Sequence, residues 1–408
     1  MLTRHQVALV FGSALLFAVL AVAQQGDVPE KPVKLRALAT LEARREGCDK
    51  HYINLAMSAD GKRLYAVARW EYANTPPPPV PLGQLECWER TEDGAQLVWL
   101  ADVTERLVSL PTRILVLSPD NKHLALGLSD RVVVFDTANG KPVRELLPDM
   151  PDGVTDRVVK ALAFSPDGRA LAGSYWGQKI HVWDFASGKT LKAWQAFDVG
   201  CNQILTMRFL ESGNVLAITG NYHRVAFYDW QQARLLSAWE VRDLKDEKST
   251  TRYVYDLEIA RCGDKTYWVS AHGDSMHGRF FDGASEGHVE VRDEQGRLLY
   301  SRKAGGAVLA VAVSPDGRWF AHGECNISWR QRPVAPGEPV PFRPILDYFH
   351  WPSAVHVRET ETGRHLAVLE GHKRGITDVA ISPDGRWLAS CSNDGTIRLW
   401  QTPAQAAK

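Results

Sequence analysis

The chain has no excess of charge of either sign. Its 408 residues carry 48 Lys and Arg against 48 Asp and Glu, a formal net charge of zero. Nucleic-acid binding normally leaves a basic excess or stripe, so this balance argues against that role. The most charged stretch, Arg242–Lys248, mixes both signs and reads as a solvated loop. Cysteine is sparse and scattered. Cys48, Cys87, Cys201, Cys262, Cys325 and Cys391 form no C-x-x-C pair, so neither a zinc knuckle, a thioredoxin-type motif nor a haem attachment signal is supported. Mostly free or buried thiols are expected, although an oxidising compartment permits one or two bridges. Catalytic signatures are missing as well. There is no G-x-S-x-G, H-E-x-x-H or P-loop, and no G-x-G-x-x-G in a strand-to-helix setting.

Long apolar runs are missing everywhere except at the start. Arg4 and His5 precede the run Val7–Val22, which leaves through Ala21-Val22-Ala23 before Gln24-Gln25-Gly26-Asp27. A basic start, an apolar centre and a small-x-small exit describe a signal peptide over residues 1–23, cleaved after Ala23. The competing reading is an uncleaved membrane anchor, but the run is short for a span and holds Gly12 and Ser13. No cysteine follows it to carry a lipid. Residues 24–32 read as a polar tether. The expected destination lies outside the cytoplasm, periplasmic or extracellular, with membrane contact only if the segment is not cut.

What the chain has in abundance is one repeated pattern. The last copy, Gly371–Trp400, contains three alternating apolar runs, Ile376–Ile381, Trp387–Ser390 and Thr396–Trp400. Ser382-Pro383-Asp384-Gly385 and Asn393-Asp394-Gly395 separate them, which describes an antiparallel meander. Pro383 presets the turn, Asp384 can bond its own backbone, and Gly385 tolerates positive φ. Copies of the anchor Ser382 occur at Ser58, Ser118, Ser165 and Ser314, with degenerate ones at Leu210 and Ala260. A period near ~40–45 residues with insertions marks four-stranded propeller blades.

With Gly371-His372 opening the last unit, and Trp183-Asp184, Phe135-Asp136 and Tyr228-Asp229 closing others, the chain resembles the WD-repeat family over residues 33–402. The resemblance implies an all-β fold, a seven-bladed β-propeller of four-stranded antiparallel blades. The run Val33–Leu41 is expected to complete the last blade as its fourth strand, which closes the ring and removes its free edge. Residues 403–408 are a short tail. Trp88, Phe135, Trp183, Tyr228 and Trp400 share one place at the end of the third strand and are expected between blades. His372, Ser390, Asp394 and Trp400 match the family's hydrogen-bonded structural tetrad, so this His/Ser/Asp set is not read as a hydrolase. Blade 3 has Thr155, Gly173 and Gly177 in those places and keeps only Trp183, so packing alone is expected to hold such blades.

Function is expected on loops. Insertions fall between the second and third strands of blade 1 (Tyr72–Gln84, with Pro76–Pro79), blade 5 (His272–Gly287) and blade 6 (Cys325–Ser353). In a meander these connections leave one face, and the three blades lie in one sector once the ring closes. The blade 6 insertion supplies candidate partner-binding residues Trp329, Arg330, Arg332, Phe342, Arg343, Tyr348, Phe349 and Trp351, types enriched at interface hot spots. The alternative is that these aromatics fold back and cap the propeller. His272, Asp274, His277, Asp282 and His288 match no specific metal-ligand spacing, so no metal or other cofactor is expected. The inner strands bring no recurring acidic or histidine ring to the channel. The expected function is therefore a monomeric, non-catalytic platform for protein partners. Alternatives are a propeller enzyme, lactonase-like or quinone-dependent, and an exported carbohydrate or peptide binder.

Overall fold

Each Ser-Pro-Asp-Gly turn is built by its own side chains. Ser382 Oγ donates to Asp384 Oδ1 at 2.5 Å, and that oxygen also accepts from Arg386 N at 3.0 Å. Ser382 Oγ in turn accepts from Trp387 N at 2.9 Å. The Ser-to-Asp bond recurs at Ser58, Ser118, Ser165 and Ser314. In all seven copies the residue three after the anchor adopts the left-handed conformation. Six are glycines with φ between 60° (Gly263) and 73° (Gly213), and the seventh is Asn121 at 59°. The degenerate copies at Leu210 and Ala260 thus keep the turn's backbone after losing its side chains.

The structure is a computed structural model. It describes residues 32–402 apart from residues 36, 43–47, 73–81, 92–93, 105–106, 108–112, 150–156, 176–178, 197–202, 221–223, 241–252, 274–282, 285–286, 332–345 and 351. The signal-peptide and tether segments and the C-terminal tail lie outside the described residues. Among those described there is no helix.

The seven anchors join the inner to the second strands of seven antiparallel blades. Blade 1 is Cys48–Met57, Arg63–Tyr72, Gly83–Thr91 and Gly94–Val103. Blade 2 is Leu115–Leu117, His123–Gly127, Val132–Asp136 and Pro142–Leu146. Blade 3 is Val159–Phe164, Ala170–Tyr175, Lys179–Asp184 and Thr190–Gln195. Blade 4 is Ile204–Phe209, Val215–Gly220, Arg224–Asp229 and Arg234–Glu240. Blade 5 is Tyr253–Cys262, Lys265–Gly273, Gly287–Asp293 and Leu298–Ala304. Blade 6 is Ala307–Val313, Trp319–Cys325, Ser353–Glu359 and His365–His372, and blade 7 begins with Ile376–Ile381, Trp387–Ser392 and Ile397–Gln401. The inner strands contact one another in sequence around the axis, and the last returns to the first. This is a seven-bladed β-propeller.

Hydrophobic burial is divided among the blade interfaces. Leu41, Leu55, Trp88, Leu388's neighbour Ala389 and Leu399 belong to the cluster between blades 7 and 1, while Leu85, Leu124 and Phe135 belong to the one between blades 1 and 2. Equivalent clusters fill the other five interfaces. Trp88, Phe135, Trp183, Tyr228 and Trp400 are all buried within them. A blade has two apolar faces and buries both only with neighbours on each side, which is why the repeat must close.

The closing segment divides in two. Ala39–Leu41 pairs antiparallel with Ile397–Gln401 and supplies the fourth strand of blade 7, with Leu38 N donating to Leu399 O at 2.9 Å. Val33–Leu35 does not join that blade. It pairs parallel with His365–His372, so blade 6 carries a fifth strand. The N-terminal segment thus staples two adjacent blades.

Of the six cysteines, Cys87, Cys262, Cys325 and Cys391 form no disulfide. Burial pushes the thiols of Cys87 and Cys325 up, to about 11 and about 12.

Candidate functional site

The insertions of blades 5 and 6 meet. Gly283–Ala284, from blade 5, pairs with Ile327–Gln331 from blade 6, which pairs in turn with Leu346–His350. The result is a three-stranded sheet separate from any blade. Trp329 stands opposite Tyr348 on one side and Gly283 on the other, Ser328 opposite Phe349, and Arg330 opposite Asp347. Arg332, Phe342, Arg343 and Trp351 lie outside the described residues, as do Pro76–Pro79 and Asp274, His277 and Asp282. At the base of the blade 6 insertion, Asn326 N donates to Ser353 Oγ and Asn326 Nδ2 to Pro352 O, both at 3.3 Å.

The insertion stems are more regular than the sequence suggests. The second strand of blade 5 runs through His272 to Gly273, and the third begins at Gly287. His272 and His288 are therefore strand residues in direct register, not loop residues.

The tetrad residues of blade 7 form one chain. Trp400 Nε1 donates to Ser390 Oγ at 2.9 Å, Ser390 Oγ lies 2.8 Å from His372 Nε2, and His372 Nδ1 lies 3.0 Å from Asp394 Oδ2. Burial holds His372 below its ordinary pKa despite Asp394. Burial opposes charge on Asp394 too, but bonds from His372, Thr396 and Lys373 N hold its carboxyl well below the usual range. A neutral imidazole with its proton on Nδ1 satisfies every link. The set is enclosed and offers no nucleophile to solvent.

Other blades are not held by packing alone, contrary to expectation. In blade 1, Glu86 Oε2 accepts from Tyr52 Oη at 2.8 Å and Trp88 Nε1 at 2.9 Å, while Glu86 Oε1 pairs with Lys50 Nζ. In blade 5, Arg292 takes the place of the tryptophan and donates to Glu290 Oε2. Burial opposes charge on Glu290, but His288 and Arg292 hold its carboxyl down to about 2. In blade 6, His356 bridges Glu324 at 3.1 Å and His365 at 2.9 Å, and Arg358 Nε donates to His322 Nε2 at 3.3 Å. Burial keeps His322 well below its ordinary pKa, consistent with an accepting, neutral ring. Blade 3 uses packing: Gly173, in the serine's place, leaves room for Trp183, whose ring would meet a Cβ there at 2.8 Å.

The channel also departs from expectation, because charge recurs on the inner strands. Asn54, Asp256 and Asp378 each stand four residues before an anchor. Asn54 Oδ1 accepts from Ile114 N at 3.0 Å, Asp256 Oδ2 from Val311 N at 3.2 Å, and Asp378 Oδ2 from Leu55 N at 2.8 Å. Each clasps the inner strand of the next blade. Arg113 Nη2 reaches Asp256 Oδ2 at 3.0 Å and Glu258 Oε1 at 3.3 Å, and Arg208 pairs with Glu258. A cavity of about 470 Å³ opens beside them, with Met57, Phe164, Phe209 and Ile381 in its walls. Burial raises the Glu258 carboxyl, and it pushes Asp378 up to about 6, with Asp256 adding repulsion and Arg113 opposing. The aspartates are engaged by backbone amides, which marks them as clasps between blades rather than poised acids.

Two family profiles match the chain. That described as "WD domain, G-beta repeat" covers residues 363–401, and "Anaphase-promoting complex subunit 4 WD40 domain" covers residues 115–207. The first stretch falls on the outer strand of blade 6 and on blade 7, and the second on blades 2 and 3 and the inner strand of blade 4. The chain belongs to the WD-repeat β-propellers. Among curated proteins, this WD-repeat chain is similar to the "Protein LST8 homolog" of Drosophila melanogaster, 26% identical over 54% of this chain and 59% of that protein. It is similar to "Cell division cycle 20.5, cofactor of APC complex" of Arabidopsis thaliana, 21% identical over 70% of this chain and 63% of that protein. It also resembles "Target of rapamycin complex subunit wat1" of Schizosaccharomyces pombe, 37% identical over 13% of this chain and 18% of that protein. In each case the match spans less than two thirds of the relative.

Proposed function

We propose that this WD-repeat propeller is a non-catalytic scaffold that binds protein partners outside the cytoplasm through the face bearing its insertions. The observation that carries the reading is the joint sheet. Two insertions from neighbouring blades pair strand to strand, which makes one shaped surface on a rigid ring instead of two independent loops. Trp329 and Arg330, with Tyr348 and Phe349, occupy its two longer strands, and aromatics with Arg are the types that anchor interfaces. The names of two relatives place them in complexes, one as a cofactor of APC complex and one as a subunit of a target of rapamycin complex. Scaffolding by a closed propeller fits that company. Export rests on the N-terminal pattern Arg4–Ala23 alone.

Crosslinking capture with the full chain and with a variant lacking residues 326–352 tests the binding face. The expected result is loss of the main captured partners by a variant that still melts cooperatively. An unchanged partner set overturns the assignment. Terminal sequencing of the protein recovered from its native host tests export, with a mature start at Gln24 expected and an intact Met1 in a soluble cytoplasmic fraction contradicting it.

A further inference from the structure

We propose that His272, His288 and Glu290 form a binding site for a divalent transition-metal ion that clips together the two stems of the blade 5 insertion. The register puts these residues together. His272 stands directly opposite His288, and Glu290, two residues on, stands opposite Ser270. In a pleated pair such positions share one face of the sheet. One donor atom from each of the three lies within 4.8 Å of the others. Two imidazoles and a carboxylate are the ligand types that zinc and other borderline divalent ions accept.

The surroundings already orient two of the three. Ser270 Oγ lies 2.7 Å from His272 Nε2 and fixes that ring. Arg292 donates to Glu290 Oε2 through Nε at 3.2 Å and Nη2 at 2.9 Å, which directs Oε1 toward His288 Nε2, 3.3 Å away. Outer contacts of this sort set the aim of metal ligands. The third ligand must move. The two rings stack 4.5 Å apart and 2° from parallel, whereas a shared ion lies in both ring planes at about 2.0–2.1 Å from each nitrogen. His272 is fully enclosed, while the His288 side chain keeps 19% exposure. His288 is therefore the ring that turns, breaking its contact with Glu290, and the ion enters on its side. Three protein ligands leave a further position for water or for a donor from a partner.

The consequence is mechanical. His272 lies one residue before the blade 5 insertion leaves its strand, and His288 lies one residue after the third strand begins at Gly287. An ion held by both ties the stems where the insertion joins the ring. The pattern was hidden in the sequence because the pairing depends on register across an insertion, not on spacing along the chain.

The test uses the full exported chain, stripped with a chelator and titrated with zinc chloride by calorimetry, with metal content checked after dialysis. One equivalent of zinc is expected, with a raised melting temperature, and cobalt is expected to give visible ligand-field absorption. His288→Ala and Glu290→Gln are each expected to weaken zinc binding at least tenfold and to abolish the cobalt signal. His288→Ala also removes a partner of the buried Glu290 carboxylate and is expected to lower the metal-free melting temperature, so the zinc-induced rise is read against each variant's own metal-free value, and Glu290→Gln is a near-isosteric second probe. Absence of a stoichiometric zinc site in the parent overturns the proposal, and so does parent-like zinc binding by both variants.

Discussion

Asp378 is enclosed at the axis of the ring, where it accepts backbone bonds from Leu55 N and Val379 N, both at 2.8 Å. Its carboxyl is pushed up to about 6 from an ordinary 3.8, first by burial and then by the neighbouring Asp256. The folded state therefore holds the proton more tightly than the unfolded chain. The stability this group lends is fully present below about pH 3.8 and is lost as pH rises through about 6. Asp378→Asn removes the titration and keeps an acceptor for Leu55 N. Relative to that variant, the parent is expected to lose stability between about pH 4 and pH 7, by at most about 3 kcal/mol at ~1.4 kcal/mol per pH unit. Thermal melts of both proteins across that range check it, and a pH-independent difference contradicts it. His372 and Asp394 have depressed values and act in the opposite sense, but they are common to both proteins and cancel in the difference. At this scale the sequence was partly legible. The tetrad could be read because its spacing belongs to the repeat. The axial clasp had a signal, an Asn or Asp four residues before three anchors, but its partner lies on the next blade and is invisible along the chain.

Among elements, Ala39–Leu41 has the most disproportionate role. Three residues complete blade 7, and Leu41 is buried in the core it shares with blade 1. Val33–Leu35 adds a second attachment on blade 6. Deleting residues 33–41 is expected to cost several kcal/mol, roughly 2 from burying Leu41 and about 1 for each strand hydrogen bond lost from the two pairings. A lower melting temperature and a broadened transition in calorimetry are the expected signs, and a parent-like melt contradicts the closure. The seven blades could be read because each inner turn carries Gly or Asn at its left-handed position, even where Ser and Asp are gone. The division of the closing segment could not, since a parallel three-residue pairing has no turn to announce it. The same holds for the insertions. Gly283–Ala284 finds its partner only in the blade 6 insertion, and Ile327–Gln331 pairs with Leu346–His350 far along its own insertion, so no tight hairpin turn signals the sheet. The strands of blades 1 and 5 also run further than their apolar alternation, because polar networks around Glu86 and Glu290 extend the buried faces.

For the whole molecule, the architecture separates the closed ring from the added sheet that is proposed as the binding face. Seven interfaces, each with its own apolar cluster, make the ring rigid, and the axial clasps tie inner strand to inner strand. The joint sheet of blades 5 and 6 is additional to that ring and no blade requires it for closure. Relatives named as components of complexes are similar in sequence to this chain over part of their length. Hydrogen–deuterium exchange on the propeller, free and bound to a captured partner, tests the assignment of the binding face most directly. The account predicts slowed exchange on Ile327–Gln331 and Leu346–His350. Protection confined to the opposite end of the ring, at the turns Ser58–Gly61 and Ser165–Gly168, would contradict it.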